Sequence, residues 1–250
     1  MTGKARNEVS ILLIQPRADV PMIEHELCCI ARYGGLAPAQ LRSVSPFTSP
    51  INARLLNDFD GVIIGGSDTS VLDDFQWTDS IIGLIHQIAE AEMPLFGSCW
   101  GHQMIARAFG GEVVSDVSRK EMGSIEVSLT PEGKKDELFG RLPELFTAQS
   151  GHKDHVSRLP EEIESLAYSE RSPYQAIRMK NLPIYGVQFH ADMDKVELKE
   201  RLSFYQYEYV DKTEFEEICA NLRDSSQAVT LIADFIDRVV LPVTNRKRIA

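Results

Sequence analysis

Short apolar runs bounded by Gly, Pro and Asp recur through the first hundred residues, with amphipathic stretches between them. Runs of that length suit strands buried on both faces, and a period near 3.6 suits helices laid over them. The pattern predicts strands over 9–15, 60–66 and 94–98, and helices over 22–33, 78–91 and 100–109. In the second helix Ile81, Ile82, Ile85, Ile88 and Ala89 share one face. Gly110-Gly111 ends the third. This alternation reads as βαβ units, hence an α/β fold with an open, mostly parallel central sheet flanked by helices. Sites in such sheets lie beyond the carboxyl ends of the strands, where Gly65-Gly66 and Cys99 fall.

After Gly111 the spacing tightens to strands over 112–114, 124–129, 145–148, 165–168, 175–179 and 183–189, a small antiparallel extension. From 194 the chain becomes a helical extension. Val196, Leu198, Leu202, Tyr205 and Tyr209 mark its first segment, with further segments over 215–222 and 228–240. The basic run Asn245-Arg246-Lys247-Arg248 is expected to fray. No repeat, low-complexity tract or linker divides the chain. The expectation is one domain over 1–250, with a core at 9–192 and the helical extension at 193–245.

Composition narrows the function. A chain of 250 residues buries enough surface to need no covalent staples. Its 26 Lys plus Arg against 37 Asp plus Glu give a net charge of −11, a surface that repels polyanions and argues against nucleic acid. The first apolar run, 9–14, is shorter than a signal-peptide core or a membrane span, so a cytoplasmic protein with no membrane partner is expected. The four cysteines, at 28, 29, 99 and 219, fit neither a zinc ribbon nor a disulfide framework. Free thiols, no metal and no cofactor follow, with Cys28 and Cys29 read as core packing.

Chemistry concentrates in three segments. Gly97-Ser98-Cys99-Trp100-Gly101 lies between a strand and a helix and has the form of a nucleophile elbow, whose glycines permit a sharp turn. The helix amides would favour a thiolate, and the Trp100 amide could face a developing oxyanion. The same pattern also suits a small buried residue in a Gly-rich turn. A thiol attacking an amide needs a base, and His190 closes a strand with Asp192 two residues on to fix its tautomer. Of the other histidines, His25 and His86 read as structural and His102 as packing or support for the elbow helix. Finally, the buried run ending at Gly65-Gly66 brings backbone close to any ligand, so the Gly66 amide could be a second oxyanion donor. It lacks the spacing and the Lys of a phosphate loop.

Together these segments, in this order, resemble the class I (triad) glutamine amidotransferases, whose members include the glutaminase domain of GMP synthetase. The pieces are Gly65-Gly66-Ser67, the run from Gly97 to Gln103, and Gly186-Val187-Gln188-Phe189-His190-Ala191-Asp192. A fourth, Ser150-Gly151-His152-Lys153-Asp154, resembles the substrate-side segment of the GMP synthetase type. The resemblance implies a flavodoxin-like class I glutaminase fold and a thioester mechanism. In it Cys99, His190 and Asp192 are catalytic, Gly66 and Trp100 form the oxyanion hole, and Gln103, His152, Lys153 and Asp154 bind substrate. That substrate would be glutamine or a related γ-glutamyl compound. The chain carries no synthetase domain, so a separate ammonia-accepting synthetase subunit is an expected partner.

Two departures bear on activity. Asp192 stands where the family commonly has Glu, after Ala191 where it has Pro, and Lys153 stands where Gly is frequent. The carboxylate stem is about 1.5 Å shorter. A γ-glutamyl peptidase remains open beside the amidotransferase, as does a non-catalytic regulatory or scaffolding subunit with a weakened triad.

Overall fold

The computed structural model describes residues 4–51, 53–209 and 211–243. The strand and helix alternation is β1 (Ile11–Ile14), α1 (Val20–Gly34), β2 (Leu41–Val44), β3 (Gly61–Ile64), α2 (Thr78–Glu90), β4 (Leu95–Ser98) and α3 (Trp100–Ala108). Then come β5 (Glu112–Ser115), β6 (Glu121–Leu129), β7 (Leu145–His152), β8 (Asp154–Arg158), β9 (Ile163–Tyr168), β10 (Ala176–Met179) and β11 (Ile184–Val187). Helices α4 (Lys195–Tyr209), α5 (Lys212–Ala220) and α6 (Leu231–Phe235) follow, and a π turn over Ile236–Val240 continues α6.

Nine strands form one sheet in the order β2-β1-β3-β4-β11-β10-β9-β6-β7. Its first five are parallel, and from β11 onward the pairing is antiparallel. The antiparallel extension is thus continuous with the parallel sheet, and β5 and β8 pair separately. The parallel strands are apolar throughout because both faces are covered. Ile11, Leu13, Ile63, Phe96 and Tyr185 point into a core with α1, α6 and the π turn, whereas Leu12, Ile14, Val62, Ile64 and Leu95 face α2 and α3.

Two strands lie outside the sequence expectation. β2 has one buried residue of four, Leu41, so it carries little apolar signal. β8 follows β7 after Lys153 alone, which turns the expected substrate loop into a strand end, one connecting residue and a strand start. The helical extension does two jobs. Leu231, Ile232, Phe235 and Ile236 complete the main core, while Met193, Leu198 and Leu202 pack with Met122, Phe215, Ile218 and Leu222 beside the sheet's carboxyl end. Of the paired cysteines, Cys29 is buried and Cys28 exposed, as the turn of about 100° per residue requires; core packing holds for Cys29 alone. The 245–248 tail lies outside the described residues.

Candidate functional site

The carboxyl ends of β3, β4 and β11 converge on one cavity of about 300 Å³, lined among others by Cys99, Trp100, Gln103 and His190. That volume is in the range of small-molecule sites. Cys99 sits between β4 and α3 with φ 49° and ψ −99°, a conformation that side-chain-bearing residues rarely adopt. The glycines on either side explain how the turn closes. A Cβ on Gly97 would lie 2.6 Å from the Gly101 carbonyl carbon, and one on Gly101 would collide with the Ile64 carbonyl oxygen. The Cys99 amide donates to Val187 O at 2.8 Å, which ties the elbow to β11.

His190 follows β11, and its amide donates to Gln149 O at 2.8 Å. Its Nδ1 lies 3.0 Å from Asp192 Oδ1, so the shorter aspartate stem does reach the imidazole. Asp192 is 1% exposed, and Arg201 Nη2 donates to its other oxygen, Oδ2, at 3.1 Å. Burial alone would raise the Asp192 carboxyl. Arg201 and then His190 outweigh it and hold that group well below the usual carboxylate range. Burial pushes the His190 imidazole below its ordinary value, and the pull of Asp192 does not recover the difference.

Burial likewise pushes the Cys99 thiol up to about 12, against the opposing charges of Arg17 and Arg201 and the Trp100 amide. The thiolate favoured by a helix N-terminus is therefore not the resting form, because desolvation exceeds the dipole's effect. Cys99 and His190 line the same cavity, and burial disfavours the charged form of each.

The Gly66 amide is occupied. It donates to Glu26 Oε1 at 2.9 Å, while Gln15 Nε2 donates to Oε2 at 2.9 Å and Arg17 Nε lies 3.4 Å from that same oxygen. A Cβ on Gly65 would stand 2.6 Å from Oε2, so this glycine admits the carboxylate. The expected second oxyanion donor is thus turned to a buried acid of the chain, since a charge 0% exposed must collect donors.

The substrate-side residues divide. His152 Nδ1 meets Asp154 O at 3.0 Å and Nε2 meets Glu121 Oε2 at 3.0 Å, so both ring nitrogens are committed within the fold and none is left for a ligand. Gln103 Nε2 donates to Asp154 O at 2.7 Å and Gln188 Oε1 at 3.0 Å, which commits its amide nitrogen too. Asp154 accepts from Ser70 Oγ through Oδ2, and its buried Oδ1 has no hydrogen-bond partner. Asp154 and exposed Lys153 are both among the residues that line the cavity.

His102 supports the elbow helix as expected. It is fully buried, and a Cβ on Gly186 would stand 3.1 Å from its Nδ1, so the ring fills the space a side chain there would take. Burial pushes its imidazole down to about 3. The unfolded chain therefore binds a proton there first, and stability present above about pH 6.5 falls as pH drops toward 3. The effect is on the order of 5 kcal/mol across that window. Thermal unfolding should decline already between pH 6.5 and 4.5, with a shallower decline in His102→Gln. A midpoint unchanged down to pH 4.5 contradicts it.

Sequence reasoning missed Arg17, Glu26 and Arg201, all buried here. A signal existed for two of them. Glu26 shares the α1 stripe of Met22, Cys29 and Ile30, and Arg201 that of Leu198, Leu202 and Tyr205 on α4. A charge on an apolar stripe is either a packing fault or a functional group.

Residues 30–207 match the model of the family described as glutamine amidotransferase class-I. The chain belongs to that family. It is 34% identical over 155 residues to the glutamine-hydrolyzing GMP synthase subunit of Methanocaldococcus jannaschii, covering 62% of this chain and 76% of that protein. With the protein of the same name from Pyrococcus abyssi it is 31% identical over 173 residues, 69% of this chain and 85% of the other. A glutamine amidotransferase from Methylobacillus flagellatus shares the fold at a TM-score of 0.73 and 20% identity, over 95% of this chain and 96% of that one. The match takes in β4, the elbow, β11 and most of α4, whose Leu198, Arg201, Leu202 and Tyr205 line the cavity. Among the described residues no group of His, Cys, Asp and Glu is arranged to hold a metal, and no helix is long and apolar enough to cross a membrane.

Proposed function

We propose that this family member hydrolyses the side-chain amide of glutamine or a related γ-glutamyl compound through a glutamyl thioester on Cys99. The observation that carries the reading is the His190–Asp192 contact of 3.0 Å in the same cavity as the strained Cys99. His190 Nε2 takes the thiol proton as sulfur attacks the amide carbon. The oxyanion forms beside the Trp100 amide, with the Gly66 amide joining once Glu26 releases it. Collapse breaks the carbon–nitrogen bond, and the proton passes from His190 to the departing nitrogen. Water, deprotonated by the same imidazole, then attacks the thioester and frees glutamate.

The unpartnered Asp154 Oδ1 suits the substrate's ammonium group, and Lys153 its carboxylate. His152 and Gln103 shape the wall through their committed nitrogens. The relatives named as subunits of GMP synthase support transfer of the ammonia to a separate synthetase subunit. A second reading, γ-glutamyl peptidase, is favoured by Met122, Met193, Leu198 and Leu202, an apolar wall with room for a leaving group larger than ammonia.

Glutamate release from glutamine and from a panel of γ-glutamyl dipeptides tests the proposal. Release from glutamine is expected. Release from dipeptides alone selects the peptidase, and release from none by a folded chain supports the scaffolding alternative and contradicts both.

A further inference from the structure

Arg201 stands on α4, beyond the last segment that carries the family's motifs. Its side chain is 7% exposed, so a cation has been taken out of water at this point. Nη2 donates to Asp192 Oδ2 at 3.1 Å and lies 3.3 Å from His25 Nδ1, and Nη1 lies 3.4 Å from His190 Nδ1. Docking α4 does not require this, because Leu198 and Leu202 already pack the helix against Met122, Phe215 and Ile218.

The carboxylate of Asp192 turns about a broad torsion, and Ser98 Oγ at 3.4 Å is a weak constraint on it. Its orientation decides which tautomer His190 adopts. Nδ1 cannot donate to Asp192 and accept from Arg201 at once, and the shorter contact, 3.0 Å against 3.4 Å, assigns it as the donor to Asp192. Nε2 then carries the lone pair that a base needs.

We propose that Arg201 is a positioning residue for the hydrolysis described above: from α4 it fixes the Asp192 carboxylate plane, so that Oδ1 holds His190 in the tautomer able to take the Cys99 proton. The inference rests on the Cys99–His190 reading and extends it to a helix the motifs do not cover. The guanidinium also opposes protonation of the ring. Around this cluster stand Arg17 from the loop after β1, His25 and Cys29 on α1, Cys99 at the elbow, and Glu197 and Glu200 on α4, of which Glu200 faces His25.

The test is the pH profile of glutamate release by the full chain. Arg201→Met is expected to lower kcat about 100-fold with little change in KM. It should also move the acid limb up by roughly one unit, because a cation near His190 is gone. Arg201→Lys keeps the charge and loses the planar fork, so it should lose about 10-fold in kcat with the limb unmoved. In His25→Gln the limb should stay in place, which assigns it to His190. A purely structural role predicts instead a lower unfolding midpoint and an unmoved limb in Arg201→Met. That result overturns the inference, as does full kcat in Arg201→Lys, the deciding variant if the methionine form fails to fold. A wild-type chain that releases no glutamate contradicts the Cys99 reading; an active one with an unmoved limb in Arg201→Met contradicts only this inference.

Discussion

Cys99→Ala is expected to lower glutamate release by about 10⁴-fold or more, because among the described residues no other thiol lines the cavity and the remaining groups can only bind. The fold should survive. Cys99 adopts φ 49° with any side chain, so alanine keeps the strain of the elbow and glycine relieves it. Relief is worth about 1–3 kcal/mol, against about 0.5–1 kcal/mol for the extra freedom glycine gives the unfolded chain. Cys99→Gly should therefore unfold at a higher temperature than Cys99→Ala, and both should be inactive. Thermal unfolding beside a coupled glutamate assay checks this, and an alanine form that retains a tenth of the activity would place the nucleophile elsewhere.

The second large effect is expected at Asp192. Asparagine keeps the shape, and its carbonyl oxygen will turn toward the Arg201 guanidinium. Its amide then faces His190 Nδ1, which must accept, so the proton moves to Nε2 and the base is lost. A fall of roughly 10³–10⁴ in kcat follows. Arg201 is also left buried without its counter-charge, which costs about 3–5 kcal/mol of stability. The wild-type carboxyl is held low, so this stabilisation is present above about pH 4 and is lost as pH falls below it. Below about pH 4 the gap between the unfolding midpoints of wild type and Asp192→Asn should narrow steadily; equal midpoints at pH 7 would show that the pair contributes nothing.

The parallel half of the sheet was legible because its strands are apolar on both faces and each helix carries one apolar stripe. The elbow was legible for a different reason: its glycines and cysteine also suit a buried turn, and it was their order with Gly65-Gly66 and His190 that pointed to chemistry. β2 was hidden because only Leu41 of its four residues is buried, and β8 because 150–154 was read as a substrate-side segment rather than as strand. The electrostatics of the site were the least legible part. Gly66 was assigned from its own freedom, whereas its amide is claimed by Glu26 on a helix forty positions earlier in the chain. Arg201 contacts Asp192 because α4 folds back over the carboxyl ends of the strands, a return that hydrophobic spacing does not encode.

Asp192 reaches His190 at 3.0 Å, and Arg201 holds its other oxygen. Burial raises the Cys99 thiol, and Glu26 engages the Gly66 amide.

Hydrolysis through a covalent glutamyl intermediate requires that the Cys99 thiol react with an electrophile shaped like glutamine. Incubation with a chloroketone analogue of glutamine, followed by intact mass and peptide mapping, tests it most directly. One adduct per chain is expected at Cys99, slowed by added glutamine and absent in Cys99→Ala. A folded chain left unmodified, or one modified at Cys28 or Cys219 with Cys99 untouched, would contradict it.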